Sequence, residues 1–177
     1  MKIKFLIIPV FCLLAVLPAV GQTVTYSFNN APVFTVWMPD GWEFKSKPNP
    51  RNPATKRISG VASNGLVWFG VWIVKDAKTV DEAYKYVQTT ARGLIKDAKE
   101  TKPAAFGQIN GMKTKYSEHT GTMKLQDGTS QLFNANVTLF ETGTGQVGIA
   151  VCMADADGLK AEKANIDAFF KSIKAAK

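Results

Sequence analysis

Residues 66–75, LVWFGVWIVK, are apolar on both faces of the strand they would form. Leu66, Trp68 and Trp72 alternate with Val67, Phe69, Val71 and Ile73. A strand with one wet face alternates apolar with polar residues, so this one must run through the middle of a sheet with cover above and below. Asn64 and Gly65 precede it and suit the positive backbone angles of a type I′ turn, so residues 57–63 form the other arm of a hairpin. A 177-residue chain with 11 Phe, 4 Trp and 4 Tyr has apolar surface enough for such a core. Its length suits a single domain and its composition excludes disorder as the main state.

The chain opens MKIKFLIIPVFCLLAVLPAVG: two lysines, an apolar run, then small residues. That is the pattern of a secretory signal peptide over residues 1–21, with residues 22–177 as the domain. The run is shorter than the ~20 residues of a membrane-spanning helix and is interrupted by Pro9 and Pro18. The expected location is therefore periplasmic or secreted, with no transmembrane segment after cleavage. Cleavage would remove Cys12 and leave Cys152 alone, so no internal disulfide is expected. It would also remove two of the 22 basic residues and leave a mildly basic chain. Export argues against nucleic acid as the partner of that charge.

The remaining elements follow from period and punctuation. Residues 23–28 and 34–38 are β-rich, and Pro39-Asp40-Gly41 forms a turn that delivers Trp42 and Phe44. Residues 45–53 hold Pro48, Pro50 and Pro53 among cations and are expected to form a surface loop. Apolar residues at helical spacing predict a helix over 79–96, opened by a capping box of Thr79 and Glu82. Strands are expected near 111–125, 129–140 and 146–154, and one closing helix near 159–174. The fold class is α+β. It is an α/β/α sandwich with a mostly antiparallel sheet of about six or seven strands, one helix after the first four strands and one C-terminal helix.

This order of elements, read with FTVWMPDGWEF at residues 34–44, resembles the PsbP-like family of small exported proteins, which takes in DcrB-like members. The resemblance covers nearly all of residues 22–177. It implies an antiparallel sheet held between helices, and small binding or assembly proteins without a shared catalytic centre. It carries over no site residue, because Pro39, Asp40, Gly41 and Trp42 have the character of a turn followed by an anchoring aromatic.

Catalytic equipment is sparse. His119 is the only histidine; it shares a strand face with Lys113, Lys115 and Ser117 and is expected to be wet. Cys152 lies between Val151 and Met153 and reads as a small core residue. Asp155 and Asp157 begin like a calcium loop but lack the distal Glu, so helix capping is expected of them. Gly60, Gly65 and Gly70 fall in a strand and hairpin and form no phosphate-binding loop. No cofactor, metal or catalytic residue is assigned.

The feature that points outward is the set Lys45, Lys47, Arg51, Lys56 and Arg57, five cations without an intervening acid. On a proline-stiffened loop they would dock an anionic partner at low ordering cost. The expected function is a non-enzymatic binding or accessory protein of the cell envelope, meeting an anionic envelope protein through this loop and a sheet edge. The alternative is a small-ligand or lipid carrier with a cavity between sheet and helix, formed beside Trp37, Trp42, Trp68 and Trp72.

Overall fold

The computed structural model describes residues 21–49, 52–94, 96–124 and 128–176. Apart from Gly21, the expected signal peptide lies outside the described residues. Two sheets form, both antiparallel throughout. β1 (Gln22–Phe28) and β2 (Ala31–Met38) turn through Asn29 and Asn30, both at positive φ, and β2 pairs on its other side with β10 (Lys174–Ala175). The larger sheet has seven strands in the order β3-β4-β5-β9-β8-β7-β6. These are β3 (Glu43–Asn49), β4 (Asn52–Val61), β5 (Val67–Val74), β6 (Lys96–Ile109), β7 (Met112–Lys124), β8 (Ser130–Glu141) and β9 (Val147–Ala154).

β5 and its neighbour β9 lie inside that sheet and are buried along almost their whole length, as an apolar strand requires. Strand alternation then sorts the core into two layers. Trp68 and Trp72 share a face with Ile149, Val151 and Met153, and with Lys115 and His119 farther along the same rows. α1 (Val80–Leu94) covers the β6–β8 part of this face. Phe69 and Cys152 point to the opposite face, against the three-stranded sheet and the helices α2 (Ala156–Ala161) and α3 (Lys163–Ser172). The result is the α+β sandwich expected, with helices on both sides of a mostly antiparallel sheet.

Local signals place most ends correctly. Thr79 Oγ1 accepts from the Glu82 amide at 3.2 Å, and the Glu82 carboxylate accepts from the Lys78 amide at 2.7 Å, one residue further back than in the usual capping box. Asp155 caps α2 by accepting from the Gly158 amide at 2.7 Å. The Trp42 amide donates to the Pro39 carbonyl at 3.2 Å with Gly41 at φ +73°, which closes the anticipated turn.

Three elements differ from expectation, and the first of them puts α1 after five strands rather than the expected four. The proline-rich segment expected as a loop is the β3–β4 hairpin, with Lys47 opposite Arg57 and Pro48 opposite Lys56. β3 is an edge strand, where outward ladder donors are not needed, so proline is tolerated. β6 was not anticipated: its lysines and Pro103 give little strand signal, and it too lies at an edge, with three register shifts along its pairing. The single C-terminal helix is broken at Glu162 into α2 and α3.

That break turns the Glu162 side chain inward. The buried carboxylate accepts from Trp42 Nε1 at 3.1 Å, Asn64 Nδ2 at 2.9 Å and Asn165 Nδ2 at 2.8 Å. With its N–H satisfied, the Trp42 ring stacks on Phe69 at 4.7 Å and leans on Phe169 at 5.8 Å. At the other end of α3, Asn110 Nδ2 donates to the carbonyls of Lys171 and Ile173, closing groups that the helix leaves open.

Removing one acceptor that serves three donors strands them all. Glu162→Ala is expected to lower unfolding free energy by about 2 kcal/mol or more, and Glu162→Gln by less because one acceptor oxygen remains. Urea denaturation of both variants checks this; an unchanged midpoint for Glu162→Ala would refute the role assigned to the carboxylate.

Candidate functional site

Strand geometry sorts the five candidate cations. Lys45 and Lys47 lie two residues apart on β3 and so share a face, joined across the hairpin by Arg57 opposite Lys47, with Ser59 opposite Lys45. Lys56, opposite Pro48, points to the other face. Arg51 lies outside the described residues. The structure thus brings Lys45, Lys47 and Arg57 together on the edge of the large sheet and separates Lys56 from them. Lys45 and Lys47 are exposed, and Arg57 is half-buried.

Lys56 has a different role through its backbone. The Tyr26 hydroxyl donates to the Lys56 carbonyl at 2.7 Å and accepts from the Ile73 amide at 3.4 Å. It stands where the β4–β5 ladder ends, one step beyond the Arg57–Trp72 pair. A side chain from the small sheet therefore completes the larger one beside the basic strands. Burial raises the Tyr26 pKa, with the two backbone bonds opposing it.

Beside these cations the sheet face is hollow. A groove of about 290 Å³ runs along Glu43, Lys45, Lys47 and Arg57 to Trp68. An adjoining pocket of about 390 Å³ is walled by Leu66, Trp68, Met123, Phe133 and Met153, and again by Arg57. Arg57 and Trp68 are common to both: the guanidinium carbon lies 5.8 Å from the indole centroid. Arg57 Nε and Trp72 Nε1, at one register position, are buried and have no hydrogen-bond partner among the described residues. Gly70 lies between the two indoles; a Cβ there would come within 2.9 Å of Trp68 and 3.0 Å of Trp72. Its service is therefore clearance for the rings.

Of the four tryptophans, Trp42 and Trp72 are core, Trp37 and Trp68 are half-buried, and Trp68 lines the pocket. None of the pocket-lining residues just named is on a helix. A separate groove of about 330 Å³ does lie between sheet and helix, with Tyr116, Asn136 and Thr138 facing Ile166 and Phe170 of α3. Among the described residues no cluster of His, Cys, Asp and Glu has metal-site geometry, and no helix is long and apolar enough to cross a membrane.

No protein-family model matches the chain, and no curated protein matches it. Solved structures do. Over 92% of this chain and 96% of the other, it is similar to PsbP (CyanoP) of Synechocystis sp. PCC 6803, with 15% identity and a TM-score of 0.60. The Saccharomyces cerevisiae Ran-binding protein Mog1p is 13% identical over 88% of this chain and 95% of its own, with a TM-score of 0.49. LpqN of Mycobacterium tuberculosis, a protein involved in cell envelope biogenesis, is 8% identical over 89% and 92%, with a TM-score of 0.47. The likeness to CyanoP is one of fold, and the fold is PsbP-like.

His119 is not where its neighbours in sequence suggested. It is 5% exposed, on the face that carries α1, and its Nε2 lies 2.9 Å from Ser117 Oγ, itself buried. The Ser–His contact resembles half of a nucleophile pair, but neither side chain lines the pocket or the grooves described above. Glu100, its cross-strand neighbour, accepts from the Tyr84 hydroxyl of α1 at 2.6 Å. Burial chiefly, and then Glu100, push the Tyr84 pKa up to about 12. Cys152 is fully buried, as expected, and burial raises its thiol pKa, away from the reactive thiolate.

Burial lowers the His119 pKa from its ordinary 6.5, and the Glu100 charge only partly opposes this. Below 6.5 the unfolded chain takes up a proton that the folded chain refuses, so this contribution to stability is intact above 6.5 and is lost as pH falls through the lowered folded value. Urea midpoints measured from pH about 7.5 down to about 5.5 should therefore fall more steeply for the natural protein than for His119→Gln. Parallel profiles would contradict the assignment.

Proposed function

We propose that this chain, built on the PsbP-like fold, is an exported, non-enzymatic binding or accessory protein of the cell envelope that docks an anionic partner protein through the edge of its large sheet. The observation that carries this reading is the register of the β3–β4 hairpin, which sets Lys45 and Lys47 of the edge strand β3 on one face with Arg57 of its neighbour β4. Pairing across a hairpin fixes the backbone beneath these cations, so binding a partner orders their side chains but no loop. Lysines on an edge strand also discourage pairing with another strand. That favours recognition by side chains rather than by strand addition. Export follows from the leader pattern of residues 1–21.

A second reading, a carrier of a small ligand or lipid, is favoured by the apolar pocket beside Trp68. Its volume, about 390 Å³, is in the range of sites that enclose small molecules. The two readings use neighbouring surfaces and part company on what is captured.

Crosslinking of the mature protein in its native envelope, followed by mass spectrometry, tests the docking reading. Lys45→Glu, Lys47→Glu and Arg57→Glu combined should weaken capture of the partner about tenfold or more, whereas Lys56→Glu, on the other face, should leave it near the natural level. Because each reversal changes the net charge by two units, a Lys56→Glu loss about one third as large in free energy as that of the triple variant would point to net charge alone. Undiminished capture by the triple variant would remove this face from the function.

A further inference from the structure

We infer that the pocket beside Trp68 is a site for a single-chain amphiphile with an anionic head, held by Arg57 with Lys45 and Lys47, and an apolar tail laid across Trp68 toward Met153, Phe133 and Met123. This deepens the carrier reading and rests on it. The first argument is that the site has two unlike halves joined at one side chain. Arg57 walls both the apolar pocket and the basic groove, so a molecule occupying both must change character at that residue. The second is an unmet bond: Arg57 Nε is buried without an acceptor among the described residues, and burying a charged donor unpaired is costly. A carboxylate or phosphate oxygen supplies that acceptor, and the guanidinium fork suits either.

The sign of the head follows from the groove. Its described charged side chains are Lys45, Lys47 and Arg57 against Glu43 alone. A cationic head seeking the face of Trp68 would find the Arg57 guanidinium already 5.8 Å from the ring centroid. The character of the tail follows from the other half, where an indole, a phenyl ring and two thioethers line the wall. Methionine side chains adapt to irregular apolar shapes and so suit a flexible chain. Leu66, 41% exposed at the rim, is apolar surface left in water at the mouth of the pocket.

The test uses three probes of equal chain length: dodecanoate, dodecanol and dodecyltrimethylammonium. Each is titrated below its micelle concentration into the mature protein, purified and stripped of lipid without denaturation, with tryptophan fluorescence and calorimetry as readouts. Dodecanoate should bind about tenfold or more tightly than the other two. Arg57→Gln should bring dodecanoate down to the level of dodecanol and leave dodecanol unchanged. Lys45→Gln with Lys47→Gln, on exposed side chains whose loss does not threaten folding, should weaken dodecanoate selectively. Trp68→Ala should weaken every probe that binds. Equal binding of all three probes, or dodecanoate binding indifferent to Arg57 and both lysines, would overturn the assignment of the head while the carrier reading stands. Binding of none would overturn both.

Discussion

The carboxylate of Glu162 gathers at one point three parts of the chain that include residues about a hundred or more positions away in sequence. Its donors come from the turn after β2, the turn between β4 and β5, and the first part of α3. A buried charge would be costly alone, but three N–H groups spread it, and its place at the start of a helix is the end where negative charge is favoured. Satisfying the Trp42 N–H frees that ring to be buried between Phe69 of the sheet and Phe169 of the helix. This group fastens the C-terminal helices and the β2 turn at one end of α3, as Asn110 fastens the other end.

The same residue explains what was and was not legible in the sequence. Strong local periodicity survived: the apolar run of β5 fixed the middle of the sheet, Thr79 and Glu82 marked the start of α1, and Asn64-Gly65 marked a hairpin. Glu162 left no mark, because an acid within an amphipathic stretch reads as a solvated side chain until its partners, far off in sequence, arrive. The missed strands share a cause. β3 and β6 are edges of the sheet, one neighbour each, and an edge strand is free to carry lysine and proline. Composition there reports exposure to water, not absence of pairing. His119 fails in the opposite direction: alternation correctly grouped it with Lys115 and Ser117, but which face a helix would cover was a tertiary fact.

For the candidate site, the cations were visible as a run and their arrangement was not. Only register divides Lys45, Lys47 and Arg57 from Lys56, and register depends on pairing that the prolines seemed to forbid. The pocket was less visible still. Its walls come from β4, the β4–β5 turn, β5, β7, β8 and β9, so no window along the sequence contains it. A tryptophan count suggested a cavity somewhere, but Trp42 and Trp72 are spent on the core, and the one that matters is Trp68.

The small sheet joins β2, near the start of the described chain, to β10 at its end: Lys174 lies opposite Thr35, and the Ala176 amide donates to the Val33 carbonyl at 3.0 Å. Contacts between such distant residues form late, because the loop they close spans nearly the whole domain. A growing polypeptide therefore has no partner for the free side of β2 until residues 174–176 have emerged. Until then the free edge of β2 stays unsealed, so the small sheet is the last part of the domain to close.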